Sequence, residues 1–396
     1  MRLNIDAPAM RRINRATVLQ FIRDQRTTSR IDIAQMTGLN KATVSYIVDE
    51  LISEKWVQEI GYGSSTGGRK PMLLRFNANS AYAIGIDVEM DIVRTVVCNT
   101  RGDVAFKKEA DLPKFSSELQ GNWLSTIIEE IKSAITATPK SPHGLIGIGL
   151  ALPGLVNSET GIISTLPNLS IKEWDIRKAV LDELQIPVFV ENSSNCGAWS
   201  EFTRNKNKDD NLVFINAGVG IGTGIIINGR LYKGKQGIAG EFGHTTIFPM
   251  GQRCVCGNYG CWEEYASERS LIRYIIEAGG DVEQFDEIPR LINFILNEAH
   301  ADNRSYIRAL NTLGQYLGIG ITNIINALSP DRISLGGTIS QAATFVLPEI
   351  ERLLNYRVFT PNHHTPITIA GVNSIAIGAA TLIIQQMLFD QSEVAL

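Results

Sequence analysis

The sequence predicts an α/β protein in two parts, a small helical head with a β hairpin and a larger body built from two similar halves. Two features of the 396-residue chain support this division. Residues 1–80 contain twelve basic and seven acidic side chains, whereas the rest of the chain contains 25 basic and 34 acidic ones. The body also repeats an order of strand, glycine-rich turn and strand. We therefore expect only the basic head to contact a polyanion.

The composition is that of a folded protein, with 44% hydrophobic residues and 35 glycines. A chain of 396 residues is too long for one ordinary core, which agrees with two or three folded units. The first fifteen residues carry four arginines and no apolar run, so we predict neither a signal peptide nor a membrane span. We expect the protein to be cytoplasmic.

Three helices are predicted in the head. Apolar residues at helical spacing indicate a first helix over residues 10–24. Ser29 can cap a short second helix, which Gly38 ends in the left-handed conformation that glycine adopts freely. Asn40 then caps a third helix over residues 41–55. Two helices joined by a glycine turn predict a helix-turn-helix.

A β hairpin follows the third helix, with strands at residues 56–60 and 72–76 and a glycine-rich tip between them. A hairpin in this place predicts a winged helix-turn-helix, which we expect to bind double-stranded DNA in the major groove. Any three short helices can mimic this pattern, but the charge asymmetry and the hairpin together favour DNA binding. The predicted DNA contacts are Lys41, Ala42, Thr43, Ser45, Tyr46, Arg69 and Lys70.

The body is predicted to contain two sets of strands and a closing helix. The strands are expected at residues 83–88, 92–98, 145–150, 187–190, 211–217, 224–227 and 333–337. A glycine-rich turn over residues 218–224 faces the first strand pair, where a nucleotide-binding actin-like fold holds phosphates. Such a turn is weak evidence alone. The apolar helix at residues 373–387 is expected to pack on the first half.

Three of the five cysteines and one of the five histidines lie within residues 244–261. One imidazole and three thiolates form the closed tetrahedral set that a structural Zn²⁺ prefers. The alternative is that the cysteines are buried thiols or form a disulfide. Because we expect a reducing compartment, we favour zinc. The predicted metal ligands are His244, Cys254, Cys256 and Cys261.

Two carboxylates are tied to the ends of this predicted metal loop. Glu241 precedes His244 by three positions, and Glu263 follows Cys261 by two. Carboxylate and imidazole groups form hydrogen bonds with sugar hydroxyls. We therefore interpret Glu241 and Glu263 as ligand contacts rather than solvated surface residues.

The whole chain resembles the ROK family of repressors, open reading frames and kinases. The pattern GExGH at residues 240–244 and CxCGxxGC at residues 254–261 is the specific signature of that family. The resemblance implies a winged helix-turn-helix over residues 1–78 and a two-lobed actin-like (ribonuclease H-like) sugar-kinase fold over residues 79–396. Lobe one would span about 79–195 plus 374–392, and lobe two about 196–373.

The resemblance implies sugar contacts by Asn192, Glu241, His244 and Glu263. The kinases of the family also need a phosphate-binding turn and an aspartate that acts as general base. Here Glu89 and Asp91 lie in the first turn, and Ser193 stands in the position of the base. Carboxylates repel phosphate, and a serine hydroxyl is a poor base near neutral pH. We therefore expect no enzymatic activity and no catalytic residue.

The resemblance is strongest to the xylose-responsive repressors of the family, on the pattern of residues 10–22 and 38–52. It implies a homodimer that represses a carbohydrate operon and leaves its operator when a sugar binds. Xylose is the expected sugar, with glucose or another hexose as competitor. Two alternatives remain open at this point: a sugar kinase with a DNA-binding head, and a regulator whose body binds a protein partner.

Overall fold

The computed structural model describes residues 7–64, 70–113, 120–166, 171–205, 209–281, 288–359 and 365–389. Its head contains helices α1 (Ala7–Asp24), α2 (Arg30–Thr37) and α3 (Lys41–Ser53), as predicted. The strands β2 (Val57–Tyr62) and β3 (Met72–Phe76) form the hairpin. Arg69, a predicted DNA contact, lies outside the described residues.

Local hydrogen bonds fix the ends of the helix-turn-helix. Ser29 and Asp32 form a reciprocal capping box at the start of α2. Gly38, with φ of 70°, ends this helix, and its amide donates to the carbonyl oxygen of Ala34. The Asn40 side chain accepts from the amide of Thr43, 2.8 Å away, and so caps α3. These are the caps that the sequence predicts.

One strand of the head has no counterpart in the sequence prediction. The two-residue strand β1 (Thr28–Ser29) pairs with β3, which gives a three-stranded sheet in the order β1-β3-β2. This strand attaches the hairpin to the segment between α1 and α2. Val18, Leu51 and Leu74 are fully buried in the core between helices and sheet.

The first half of the body is a five-stranded sheet in the order β11-β7-β4-β5-β6. Strands β4, β5 and β6 form an antiparallel meander, and β7 and β11 continue the sheet in parallel with β4. The five strands are β4 (Tyr82–Val88), β5 (Ile92–Asn99), β6 (Val104–Asp111), β7 (Leu145–Leu152) and β11 (Val188–Asn192). A smaller antiparallel sheet contains β8 (Leu155–Asn157), β9 (Ile162–Leu166) and β10 (Ile171–Asp175).

The second half repeats this topology in the order β14-β13-β12-β15-β16. An antiparallel meander of β12, β13 and β14 is continued by the parallel strands β15 and β16. The strands are β12 (Leu212–Ala217), β13 (Ile221–Ile227), β14 (Arg230–Leu231), β15 (Arg332–Gly336) and β16 (Ile367–Ile369). The predicted duplication is therefore confirmed, and the body has the two-lobed actin-like fold.

Helices cover both sheets of the body. They are α4 (Gln120–Ala137), α5 (Ile176–Leu184), α6 (Ser193–Arg204), α7 (Glu263–Ala266), α8 (Glu268–Glu277), α9 (Ile288–His300), α10 (Arg304–Leu328), α11 (Ala343–Arg357) and α12 (Ser374–Leu388). As predicted, α12 packs on lobe one. A Cβ atom at Gly149 would lie 2.1 Å from the carbonyl oxygen of Ala379, so glycine permits this close approach of strand and helix. No helix in the described ranges is long and apolar enough to cross a membrane.

The glycine-rich turn predicted over residues 218–224 is wrong in its second half. Strand β13 begins at Ile221, so only Gly218, Val219 and Gly220 connect it to β12. A Cβ atom at Gly224 would lie 2.1 Å from the carbonyl oxygen of Ser194. This glycine therefore serves the packing of α6 on β13 and takes no part in a phosphate-binding loop.

The body is attached to the head at the end of α3. The His143 ring stacks on Trp56 with 4.0 Å between ring centroids and 10° between planes. His143 Nε2 also lies 2.8 Å from the carbonyl oxygen of Glu54. The sequence alone does not reveal this contact, because Trp56 and Glu54 are distant from His143 along the chain.

Candidate functional site

The loop that connects β14 to α7 gathers the four predicted metal ligands. Its backbone is folded by bridges between Thr246 and Cys261 and between Arg253 and Tyr259. The amide of Cys254 donates to the carbonyl oxygen of Asn258 at 2.8 Å. The loop therefore turns back on itself and places three cysteines beside one histidine.

The donor atoms of His244, Cys254, Cys256 and Cys261 all lie within 4.8 Å of one another. His244 Nδ1 is 3.6 Å from Cys254 Sγ, and Cys256 Sγ is 3.7 Å from Cys261 Sγ. In a tetrahedral site with metal–sulfur bonds of about 2.3 Å, neighbouring sulfurs are about 3.8 Å apart. All five cysteines are free, so the disulfide alternative is wrong. The cluster can hold a metal ion.

Two thiols of this cluster, those of Cys254 and Cys261, have raised pKa values. Burial raises the pKa of Cys254 and of Cys261, and the neighbouring cysteines contribute to both shifts. A divalent ion supplies the positive charge that stabilises the thiolate forms. Such a chemical environment suits a structural metal better than a set of reactive thiols.

Glu241 lies on the other side of the His244 ring from the cysteines. His244 Nε2 is 4.0 Å from Glu241 Oε2, while Nδ1 faces the cluster. Burial raises the pKa of Glu241, His244 lowers it, and Glu263 raises it further. The Glu241 side chain is 44% exposed. Its carboxylate is therefore accessible to a ligand that also reaches the imidazole.

Glu263 is buried and already has protein partners. Its Oε2 accepts from the amide of Ile221 at 3.0 Å, and its Oε1 lies 3.4 Å from Arg269. The carboxylate thus fixes the short turn between β12 and β13. Two oxygens with several lone pairs leave room for a ligand hydroxyl as well.

Asn192 is the N-cap residue of α6. Its Oδ1 accepts from the amides of Ser194 and Asn195 at 2.8 and 3.2 Å. Its Nδ2 donates to the carbonyl oxygen of Gly154 at 2.9 Å. The side chain is therefore oriented by the fold, and one Nδ2 hydrogen remains for a ligand.

An ion pair beside Asn192 is absent from the sequence prediction. Lys233 Nζ lies 2.5 Å from Glu191 Oε2 and 2.9 Å from Ser158 Oγ. Glu191 directly precedes Asn192 at the end of β11, so the same strand positions both side chains. Lys233 lies beyond β14, and nothing in its local sequence marks it.

The head presents its predicted contacts at the start of α3. Lys41, Ala42, Tyr46 and Lys70 are exposed, and Thr43 and Ser45 are half-buried. Arg11 of α1 donates to the Tyr46 hydroxyl at 2.9 Å and to Glu50 at 3.0 Å. Arg11 therefore fixes Tyr46, a role that the sequence analysis did not assign.

Comparison with known proteins agrees with this geometry. The ROK family profile matches residues 83–386. The chain belongs to the ROK family. A xylose repressor of Bacillus subtilis (strain 168) is 36% identical over 388 residues, which cover 97% of this chain and 98% of that protein. An N-acetylglucosamine repressor of Escherichia coli O157:H7 is 27% identical over 393 residues, 97% of this chain and 95% of its own.

Solved structures of ROK proteins have the same fold. A ROK family transcriptional regulator, described as a homologue of the E. coli MLC protein, superposes with a TM-score of 0.79 at 27% identity, covering 96% of this chain and 97% of its own. A ROK family glucokinase from Streptomyces griseus, solved with glucose and AMPPNP, gives a TM-score of 0.66 at 24% identity. It covers 76% of this chain and 98% of its own, and it supports the fold alone.

The part of the ROK fold expected to hold nucleotide phosphates is acidic in this chain. Glu268 is buried, its amide donates to the carbonyl oxygen of Gly218 at 2.9 Å, and its Oε1 accepts from the Thr338 hydroxyl. Glu89 forms an ion pair with Arg94, whose Nε also lies 2.9 Å from Glu109 Oε2. Arg94 is thereby committed to protein carboxylates.

The buried carboxyls of this region have raised pKa values. Burial raises the pKa of Asp87, Glu89 raises it further, and Arg94 opposes the shift. Burial raises the pKa of Glu268 to about 7, the Thr338 hydrogen bond lowers it, and Glu89 and Asp91 raise it. Glu89 and Asp91 were expected here from the sequence, whereas the position of Glu268 was not.

Replacing Glu268 with glutamine should change the pH dependence of stability. Folding raises the pKa of Glu268 from 4.5 to about 7. The protonated carboxyl therefore gives its full contribution to the stability of the folded state below pH 4.5. That stability is lost as the pH rises from 4.5 through about 7, so Glu268→Gln should be most stabilising at pH 8, by about 3 kcal/mol. The check is the thermal midpoint at pH 5 and pH 8. Glu277→Gln, on the exposed end of α8, is the control, and equal pH profiles for both variants would contradict the assignment.

Proposed function

We propose that this protein is a sugar-responsive transcriptional repressor whose head binds operator DNA and whose body binds the sugar. One combination carries the proposal: a complete winged helix-turn-helix precedes a ROK body that keeps His244, Glu241 and Glu263 together. A protein named as a xylose repressor, which is 36% identical over 97% of this chain, supports the same function. Xylose is the sugar that we propose, with glucose or another hexose as competitor.

We propose the domain division of the sequence analysis, with DNA binding in residues 1–78 and sugar binding in residues 79–396. Lobe one then spans about 79–195 plus 374–392, and lobe two about 196–373. The match of the ROK profile to residues 83–386 supports a boundary near residue 80. Because a dimer places two heads with twofold symmetry, we propose a homodimer on a palindromic operator.

Five of the proposed DNA contacts lie in the first two turns of α3, towards the positive end of its dipole. Lys41, Ala42, Thr43, Ser45 and Tyr46 would meet phosphates and base edges, and Lys70 and Arg69 of the hairpin would meet the backbone or minor groove. The exposed positions of Lys41 and Tyr46 support this reading. Arg11 supports it too, because it holds the Tyr46 hydroxyl in place.

We propose that Asn192, Glu241, His244 and Glu263 bind the sugar and that a structural Zn²⁺ holds the loop. The metal ligands are His244 through Nδ1 and the thiolates of Cys254, Cys256 and Cys261. Zinc would supply a rigid tetrahedral link, with no vacant position for chemistry. His244 then turns Nε2 towards Glu241 and the ligand, so the metal orients one of the sugar contacts.

Sugar binding changes DNA affinity only if the sugar binds one arrangement of the protein more tightly than another. A ligand between Asn192 of lobe one and Glu263 of lobe two favours the closed cleft. Helix α6, which Asn192 caps, packs on both β13 and α12. Closure of the two lobes would therefore displace the elements of the body that contact the head. We propose that this displacement changes the spacing of the two heads in the dimer.

We propose that the body has no kinase activity. Ser193 lies buried at the first turn of α6 and replaces the general base, whose loss costs about 10²–10⁴ in rate. Glu268 and Glu89 also place carboxylates where phosphate groups would bind. A coupled assay of ATP consumption should show no turnover with xylose, glucose or N-acetylglucosamine. Turnover at about 1 s⁻¹ or faster with any of these sugars would show instead a kinase with a DNA-binding head.

Purified protein should contain about one zinc ion per chain, measured by plasma mass spectrometry. Cys256→Ser should lose most of this metal, because a neutral hydroxyl replaces a thiolate ligand. Cys256 is exposed, so the substitution does not disturb the core. Cys98→Ala, a buried thiol away from the loop, is the matched control and should keep its metal. Wild-type protein without zinc, or equal loss from both variants, would refute the assignment.

Xylose should weaken operator binding by about 5- to 150-fold, measured by fluorescence anisotropy on a labelled operator. Glu241→Gln should bind DNA normally but lose most of this response, because it removes a charged acceptor for a sugar hydroxyl. Glu351→Gln, an exposed change on α11, should respond like wild type. Lys41→Ala should weaken DNA binding with or without xylose.

The same assay separates the sugar hypothesis from the protein-partner alternative. Operator affinity that is unchanged by xylose, glucose, fructose and N-acetylglucosamine would contradict a sugar effector. If Glu241→Gln responded to xylose as fully as wild type, only the proposed sugar contacts would be contradicted. The proposal of a sugar-responsive repressor would still stand.

A further inference from the structure

A cavity of about 640 Å³ lies where the head meets the body. Its walls come from the end of α1, the turn between β5 and β6, the C-terminal half of α6 and one side of α12 with the residues just before it. A volume of this size accommodates a small metabolite. The cavity shares no lining residue with the proposed sugar contacts, so it is a separate candidate site.

The cavity is lined by four arginines: Arg23, Arg26, Arg101 and Arg204. Arg23 and Arg26 belong to the head, whereas Arg101 and Arg204 belong to the body. Arg101 lies against the head, with its Nη2 3.5 Å from the carbonyl oxygens of Arg23 and Gln25. Guanidinium groups from both parts of the protein therefore converge on one space.

The acidic residues of the same cavity divide their contacts between its arginines and other polar groups. Glu201 lies 2.9 Å from Arg204, but it also lies 3.5 Å from the buried Arg332. Asp103 accepts from Asn99 Nδ2 at 3.0 Å. Asp24 lies 3.6 Å from Arg23 and accepts from Gln20 at 3.1 Å. The carboxylates therefore compensate the four guanidinium groups only in part.

Arg23 is the clearest case of a guanidinium charge that nearby carboxylates neutralise only in part. Its side chain is 15% exposed and stacks on the Phe389 ring, with Cζ 4.1 Å from the ring centroid. Burial lowers the pKa of Arg23, Asp24 raises it, and the charge of Arg101 lowers it again. A guanidinium held close to a second cation is stabilised by a bound anion.

We propose that this cavity binds a small phosphate-bearing anion, held by Arg23 and Arg101 across the junction and by Arg204 from α6. Arginine forks match the geometry of phosphate oxygens, and guanidinium groups on two sides of the cavity suit a ligand with several acceptor oxygens. Because the ligand contacts head and body at once, its binding favours one orientation of the head. The site is therefore a second input to DNA binding, independent of the sugar site.

The test is calorimetric titration of pyrophosphate into the full-length protein, in magnesium-free buffer at constant ionic strength. We expect saturable binding at one site per chain. Arg101→Gln and Arg204→Gln should each weaken this binding at least tenfold, and Arg101→Lys should weaken it less than Arg101→Gln. Arg352→Gln, an exposed arginine on α11, should bind like wild type.

Controls assign the signal to the cavity. Lys41→Ala should leave pyrophosphate affinity unchanged, since Lys41 lies on the proposed DNA surface; a loss there would place the anion on that surface and refute the proposal. Citrate at equal concentration should bind more weakly, and equal affinity would overturn the assignment to phosphate. Absence of saturable heat, or equal loss in Arg101→Gln and Arg352→Gln, would overturn the site itself. Pyrophosphate should raise the thermal midpoint of wild type but not of Arg101→Gln, whose own midpoint shows that it is folded.

Discussion

The fold of the loop between β14 and α7 depends on the cluster of His244, Cys254, Cys256 and Cys261, which the proposed zinc ion would hold together. The cluster brings His244, near the middle of this loop, beside Cys261 at its end. Glu241 Oε2 lies 4.0 Å from His244 Nε2, and Cys261 leads directly into α7 and Glu263. Glu263 in turn accepts from the amide of Ile221 and so fixes the turn between β12 and β13. Without the cluster, a loop rich in glycine would have little apolar burial to hold these carboxylates together.

Contiguous packing connects that site to the head. Helix α6 starts at Asn192 in the cleft and ends at the arginine-lined cavity. Helix α12 lies beside it, and the adjacent turn after β5 contacts the end of α1 through Arg101. His143 makes a second link, to the carbonyl oxygen of Glu54 at the end of α3. We propose these contacts as the physical route by which closure of the lobes moves the head.

Much of the fold follows from local sequence, while the partners of single residues do not. The caps Ser29, Gly38 and Asn40 mark the helices of the head, and apolar runs mark the strands. The candidate metal cluster can be predicted from the sequence because its four residues lie within one segment. In contrast, β1, the role of Gly224 and the stacking of His143 depend on residues distant in the chain. The surroundings of Glu268 likewise could not be predicted, because its partners Gly218 and Thr338 are distant from it in the sequence.

We propose that a metal-held loop shapes a pocket that binds a sugar without transforming it. Calorimetric titration of xylose into metal-loaded protein, and into protein stripped of metal by dialysis against a chelator, tests this proposal. We expect saturable binding to the loaded protein, loss of that binding after stripping, and its return when zinc is restored. Equal xylose affinity with and without the metal would contradict it.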